Sequence, residues 1–245
     1  MRKVALLAVA ALLTVAAVAF AQTQVNTYAV QGSVSPNTSK GPLGVKFNYQ
    51  VGEKSGNRPS AVQTYNIGFF GVHANGGLFP KCSASAIAGA KSAAKCPKGS
   101  QVGTGTVISK VGPDNDVTQS PITCTKALAV FNSGAGKSTL FLTGPATACG
   151  GVGYVPPIAT KYKAGPGGGS VLVFTVPPAV LHPLAGLTTA VVDVKSTIKK
   201  LKAKNGKGYY QGLKCGPRGK RALTVTFVSE AGQSTPVAAD TGKCR

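Results

Sequence analysis

Tryptophan is absent from the 245 residues, histidine occurs twice, methionine once, and aspartate and glutamate together fill only 6 positions. These shortages exclude whole classes of chemistry. Without tryptophan, sugar binding on broad aromatic platforms has little to build on. Six carboxylates and two histidines leave little material for general acid/base catalysis or metal ligation. No G-x-S-x-G elbow, H-E-x-x-H pair or C-x-x-C redox pair occurs. Beyond residue 20 no apolar run is long enough to span a bilayer, since the best, Val171 to Val180, contains Pro177 and Pro178.

What is abundant is positive charge, glycine and proline. Twenty-seven Lys and Arg residues give a formal net charge of +21, alongside 32 Gly, 16 Pro and 6 Cys. At 43% hydrophobic and 13% charged the chain is apolar enough to fold, so the excess reflects missing acids rather than saturation with bases.

Arg2 and Lys3 precede an apolar run from Val4 to Phe20, and Ala19, Phe20 and Ala21 form a small-x-small site. The pattern predicts a secretory signal peptide over residues 1–21, cleaved before Gln22, and hence a mature chain outside the cytoplasm. Loss of Arg2 and Lys3 leaves +19. All six cysteines follow that cleavage point: Cys82, Cys96, Cys124, Cys149, Cys215 and Cys244. An even number in an exported chain reads as disulfides, although about 15 pairings are open to six cysteines. Sequential pairing is expected because each neighbouring pair brackets a local unit. Zinc competes poorly, for no two cysteines stand at C-x2-4-C spacing. No cofactor is expected.

Val45, Phe47, Tyr49 and Val51 alternate with polar residues, as do Leu223, Val225 and Phe227. This period of two marks strands with one buried face. The nearly continuous run Val171 to Val176 fits a strand covered on both faces. Thr188 to Lys204 reads as a strand ending or bulging near Lys199, followed by an Asn205-Gly206 hairpin turn into Tyr209, Gln211 and Leu213. Only Ser83 to Lys95 reads as helix, with Ser83 as N-cap, Pro97 past its end and Cys82 and Cys96 clipping it. The Gly/Pro-dense stretch 144–169 reads as a long surface loop or linker. An all-β fold follows, an antiparallel β-sandwich of immunoglobulin-like architecture, over residues 22–245 as one domain or as two small sandwiches divided near 144–169.

Ser133 to Leu140 resembles the end of a phosphate-binding loop, with Lys137 and Ser138 in the catalytic places. Phe131 stands where the first glycine should be, and the following residues are β-prone, so the segment reads as a hairpin turn. His73 and His182 read as structural or surface residues, and Asp114 and Asp116 as a turn or at best a weak calcium contact.

Phe79-Pro80-Lys81-Cys82-Ser83, followed by Ala93-Ala94-Lys95-Cys96-Pro97-Lys98-Gly99-Ser100-Gln101-Val102-Gly103-Thr104-Gly105-Thr106, resembles a cassette of exported bacterial β-sandwich proteins of unknown function. The segment from Tyr209 through Cys215 to Phe227 and Cys244 is similar to their closing hairpin, although Cys215 leads here into Gly216-Pro217-Arg218-Gly219 rather than Cys-Pro-Lys-Gly and a Trp-containing strand. The resemblance implies a secreted sandwich with Cys82 paired to Cys96 and Cys215 to Cys244, and it implies no activity. Independently of it, Gly103 and Gly105 suit a strand whose backbone another segment approaches closely.

From Val194 to Arg221 stand ten bases and no acid: Lys195, Lys199, Lys200, Lys202, Lys204, Lys207, Lys214, Arg218, Lys220 and Arg221. On a two-stranded ribbon these residues would attract polyanions such as wall polymers, anionic lipid head groups or extracellular nucleic acid. The same lysines would also solvate the protein and blunt a sheet edge, and no motif for specific nucleic-acid recognition accompanies them. The sequence supports a secreted, non-enzymatic structural or interaction module at or outside the bacterial cell envelope. An anionic-polymer binder is the alternative, and an extracellular hydrolase is less well supported because no nucleophile and base are identifiable.

Overall fold

The computed structural model describes residues 24–145, 147–149, 151 and 153–245, so the expected signal segment lies outside the described residues. The strands are β1 (Asn26–Ser35), β2 (Gly41–Glu53), β3 (Val62–Phe69), β4 (Val72–Ala74), β5 (Gln101–Pro113), β6 (Ile122–Asn132) and β7 (Lys137–Thr143). They continue with β8 (Ile158–Ala164), β9 (Ser170–Thr175), β10 (Leu187–Ile198), β11 (Tyr210–Gly212), β12 (Lys220–Ser229) and β13 (Ser234–Lys243). Two short helices, α1 (Ala84–Ala90) and α2 (Pro178–Leu181), interrupt them.

The fold is all-β, and every strand pairing is antiparallel. The strands form one continuous sheet in the order β13-β12-β3-β9-β8-β7-β6-β5-β10-β2-β11-β4, with β1 also on β2. This sheet doubles over on itself, bringing strands far apart in that order face to face. Tyr28 on β1 stacks on Phe227 of β12 with ring centroids 4.4 Å apart, and Tyr49 on β2 meets Tyr65 on β3 at 5.7 Å. The alternating side chains supply the filling. Val45, Phe47, Tyr49 and Val51 are all buried, as are Leu223, Val225 and Phe227, while their polar neighbours are more exposed. Burying such apolar faces stabilises the fold by about 25 cal/mol per Å² removed from water.

Several expectations change in detail. The helix keeps its Ser83 cap, whose side chain accepts from Ala86 N at 3.2 Å, but it ends at Ala90 because Lys91 turns left-handed with φ of 47°. The stretch 144–169 is not loop throughout. It contains β8, whose Ile158 and Thr160 point inward and which pairs with β7 and β9. The ribbon expected over residues 188–213 does not form. β10 ends at Ile198, Lys199 N donates to Val102 O, and Leu201 turns onto the core. The Asn205-Gly206 turn closes only a short antiparallel tip, with Lys202 bridged to Gly208, Ala203 N donating to Lys207 O and Tyr209 N to Leu201 O, and β11 pairs instead with β2 and β4. β10 thus ends beside Lys199, as expected, and carries a further bulge between Val191 and Asp193.

Candidate functional site

The six cysteines form Cys82–Cys96, Cys124–Cys149 and Cys215–Cys244, the sequential pattern. The first clips α1 onto a small apolar cluster with Ile87, Phe131 and Phe141. The segment resembling a phosphate loop is the β6–β7 hairpin, with Asn132 opposite Ser138 and Lys137 N donating to Gly134 O.

Between the two layers lies an apolar cavity of about 130 Å³, walled by residues including Val45, Phe47, Val107, Leu140, Val191 and Phe174. Its existence follows from the ladder geometry. Ile67, Leu172 and Tyr162 stand in register across β3, β9 and β8, with Phe47, Ser196 and Ile198 on the opposite layer, and this set of side chains does not close the space between them. Native interiors are ordinarily packed to crystal density. At about 24 cal/mol per Å³, a void of this size costs roughly 3 kcal/mol. Tyr65 borders the cavity but is itself only 1% exposed, its hydroxyl sitting in the packed interior beside the phenol of Tyr49. Burial raises the proton affinity of both phenols, so they are neutral donors at ordinary pH.

At one end the cavity meets a pair of tyrosines. Tyr162 Oη and Tyr210 Oη are 2.9 Å apart, with ring planes at 88°. Burial, and then the neighbouring Tyr162, holds Tyr210 well above its ordinary pKa. One phenol hydrogen bond, worth about 1 kcal/mol net, joins this pair, which we call the tyrosine gate. Beyond it opens a groove of about 530 Å³, which shares Tyr162 and Ser170 with the cavity. The groove is bordered by His73, Lys163, Lys207 and several glycines, and no acidic side chain lines it. Ser170 Oγ lies 3.3 Å from His73 Nδ1 and accepts from Ala74 N at 3.1 Å. Buried Asn132 shapes the far rim: its amide donates to Gly76 O, Phe79 O and Pro80 O at 2.9–3.0 Å, and its Oδ1 accepts from Gly134 N.

The basic residues singled out from the sequence do not converge on one ribbon. Lys195, Lys199, Lys200, Lys202, Lys204, Lys207, Lys214 and Arg218 are exposed, and Lys220 pairs with Asp240 at 2.8 Å. Arg221 is a correction: it is fully buried, because the alternation that points Leu223 and Val225 inward also points Arg221 inward. Its guanidinium donates to Thr38 O, Gly71 O and Asn37 Oδ1.

His73 lies on the three-residue β4, between two buried neighbours and just before the Gly76–Leu78 turn. His182 joins three loops. Its Nε2 is 2.9 Å from Glu230 Oε1, its Nδ1 is 3.8 Å from Asp114 Oδ1 and 3.4 Å from Thr188 Oγ1, and Thr188 also donates to Asp114. Hydroxyl, imidazole and carboxylate thus meet, but His182 and Asp114 are 39% and 44% exposed, so the cluster lacks the water-excluded setting in which such groups catalyse strongly. Asp116 accepts from Thr118 and Gln119 within its own turn. Tyr162, Tyr210, Ser170, Lys163 and Tyr65 carry no sequence signal as a site, since their meeting depends on strands that pair across long stretches of chain.

A small-ligand chamber inside a doubled antiparallel sheet is therefore the candidate site. The chain matches no known protein family, no curated protein and no solved structure.

Proposed function

We propose that the protein is an exported, non-enzymatic binding module that takes a small apolar group into the chamber between its two sheet layers. The doubled sheet supports the sandwich reading, and three disulfides among the described residues accord with an oxidising compartment outside the cytoplasm. The carrying observation is the chamber itself: an apolar void of about 130 Å³, which costs stability that a ligand would offset. A cavity of comparable size lined by aliphatic and aromatic side chains accepts a benzene-sized molecule.

Benzene titrated into the protein is expected to raise the thermal midpoint, since a ligand of the folded state alone stabilises by mass action. Val191→Phe, at the bulged and half-buried part of β10, is expected to fill the chamber and abolish that rise while the protein stays folded. A midpoint that saturating benzene leaves unmoved in the unaltered protein rejects the reading.

A second reading, binding of anionic envelope polymers, is favoured by one observation. Lys199, Lys200, Lys202, Lys204 and Lys207 are all exposed on the single connection between β10 and β11, and none is paired with a carboxylate among the described residues.

A further inference from the structure

The groove outside the tyrosine gate differs chemically from the chamber inside it, and the two meet at Tyr162 and Ser170. Inside, the walls are almost wholly apolar. Outside, the lining brings Lys163 from β8, Lys207 from the β10–β11 connection and His73 from β4 around one opening. Neither lysine has a carboxylate partner among the described residues, and the groove offers no acidic side chain to neutralise them. These three residues are far apart in the chain, so their convergence is a product of the fold and not of the overall basic composition. Glycines at the rim, including Gly136 and Gly168 with φ of 65° and 73°, keep side chains out of the opening and let a head group reach the backbone.

We propose that the ligand is a small anionic amphipath: a benzene-sized apolar group seated in the chamber, joined through the gate to a carboxylate-type head held by Lys163 and Lys207. The inference rests on the chamber being a ligand site, as argued above, and adds the charge and polarity of the ligand. An apolar body with one charged end satisfies both compartments at once. A neutral ligand leaves the lysines unused, and a compact polyanion leaves the chamber empty. Entry requires the Tyr162–Tyr210 hydrogen bond to break, a modest cost, and Ser170 Oγ and the two phenols are then free to donate to the head group.

The test compares 3-phenylpropanoate with 3-phenylpropan-1-ol, which share the apolar body and differ in the charge of the head. With seven tyrosines and no tryptophan, emission from the protein reports tyrosine alone, and opening of the gate should alter it on titration. The carboxylate is expected to bind at least about tenfold more tightly than the alcohol at low salt, as suits one charge-assisted contact. The double variant Lys163→Ser/Lys207→Ser, both at exposed positions, should remove that difference and leave alcohol binding unchanged. Equal binding of the two compounds, or tighter binding of the alcohol, overturns the anionic head while leaving the chamber as a ligand site. Binding of neither overturns both. A preference for the carboxylate that survives in the double variant places the charge recognition elsewhere and also overturns the assignment to these lysines.

Discussion

Arg221 is fully buried, and its guanidinium is met by carbonyl oxygens of Thr38 and Gly71, the side-chain oxygen of Asn37 and the sulfur of Cys244, with no carboxylate among these contacts. Desolvation lowers its pKa, but an arginine remains charged, so the fold has to supply acceptors. The acceptors come from the β1–β2 loop, the β3–β4 turn and Cys244 near the chain terminus, and Arg221 therefore ties these segments together. Arg221→Met is expected to cost about 3 kcal/mol, read as a lowered urea midpoint, because it strands buried carbonyls. His182 is the pH-sensitive counterpart. The hydrogen bond that His182 donates to Glu230 is the main cause of its raised pKa, opposed by partial desolvation and assisted by the charges of Glu230 and Asp114. A raised folded-state pKa means that the stabilisation is complete below about 6.5, the value in the unfolded chain, and is lost as pH rises through the folded value. The thermal midpoint is expected to fall across that window as pH rises, and His182→Gln should flatten this part of the profile; an unchanged slope in the variant would show that other groups set it.

At the scale of elements, close backbone approach decides where glycine is required. A Cβ at Gly103 would stand 2.7 Å from Thr197 O, and one at Gly105 would collide with Lys195 O, so both glycines of β5 let β10 lie tightly against it. Gly105→Ala is expected to destabilise by at least about 2 kcal/mol because the obstacle is backbone, which cannot move aside as a side chain can; an alanine variant of unchanged urea midpoint would refute this. The close approach was legible in the sequence, since paired glycines within a β-prone run have few other uses. Strands with strict alternation, β2 and β12, were legible for the same kind of reason: a period of two leaves only one burial pattern. β8 was not, because its inward Ile158 and Thr160 and outward Lys161 and Lys163 form a short, weakly apolar segment amid glycine and proline. The hairpin read after β10 forms only at its tip for a related cause. Asn205-Gly206 does turn the chain, but Leu201 turns onto the core and β11 finds its partners in β2 and β4, a choice that local sequence does not encode.

At the scale of the whole molecule, the charge excess divides differently in space than along the chain. Of the ten bases between Val194 and Arg221, Arg221 is interior and Lys220 is engaged by Asp240, while the β10–β11 connection presents a compact lysine loop. If that loop binds polyanions, retention on a sulfated matrix should weaken with salt, and Lys199→Ser/Lys200→Ser/Lys202→Ser/Lys204→Ser should elute at clearly lower salt than the unaltered protein; coincident elution would leave the loop a solvated surface. The sequence by itself determined the all-β class, which face of the strongly alternating strands is buried and the supply of six cysteines for three bridges, because backbone periodicity and composition act locally. Tertiary structure alone decided that Tyr162 faces Tyr210, that Lys163 and Lys207 share one opening, that Arg221 is buried, and that the layers enclose a space they do not fill. Those outcomes depend on which distant strands pair and how far the sheet turns over itself, quantities set by the packing of the whole chain.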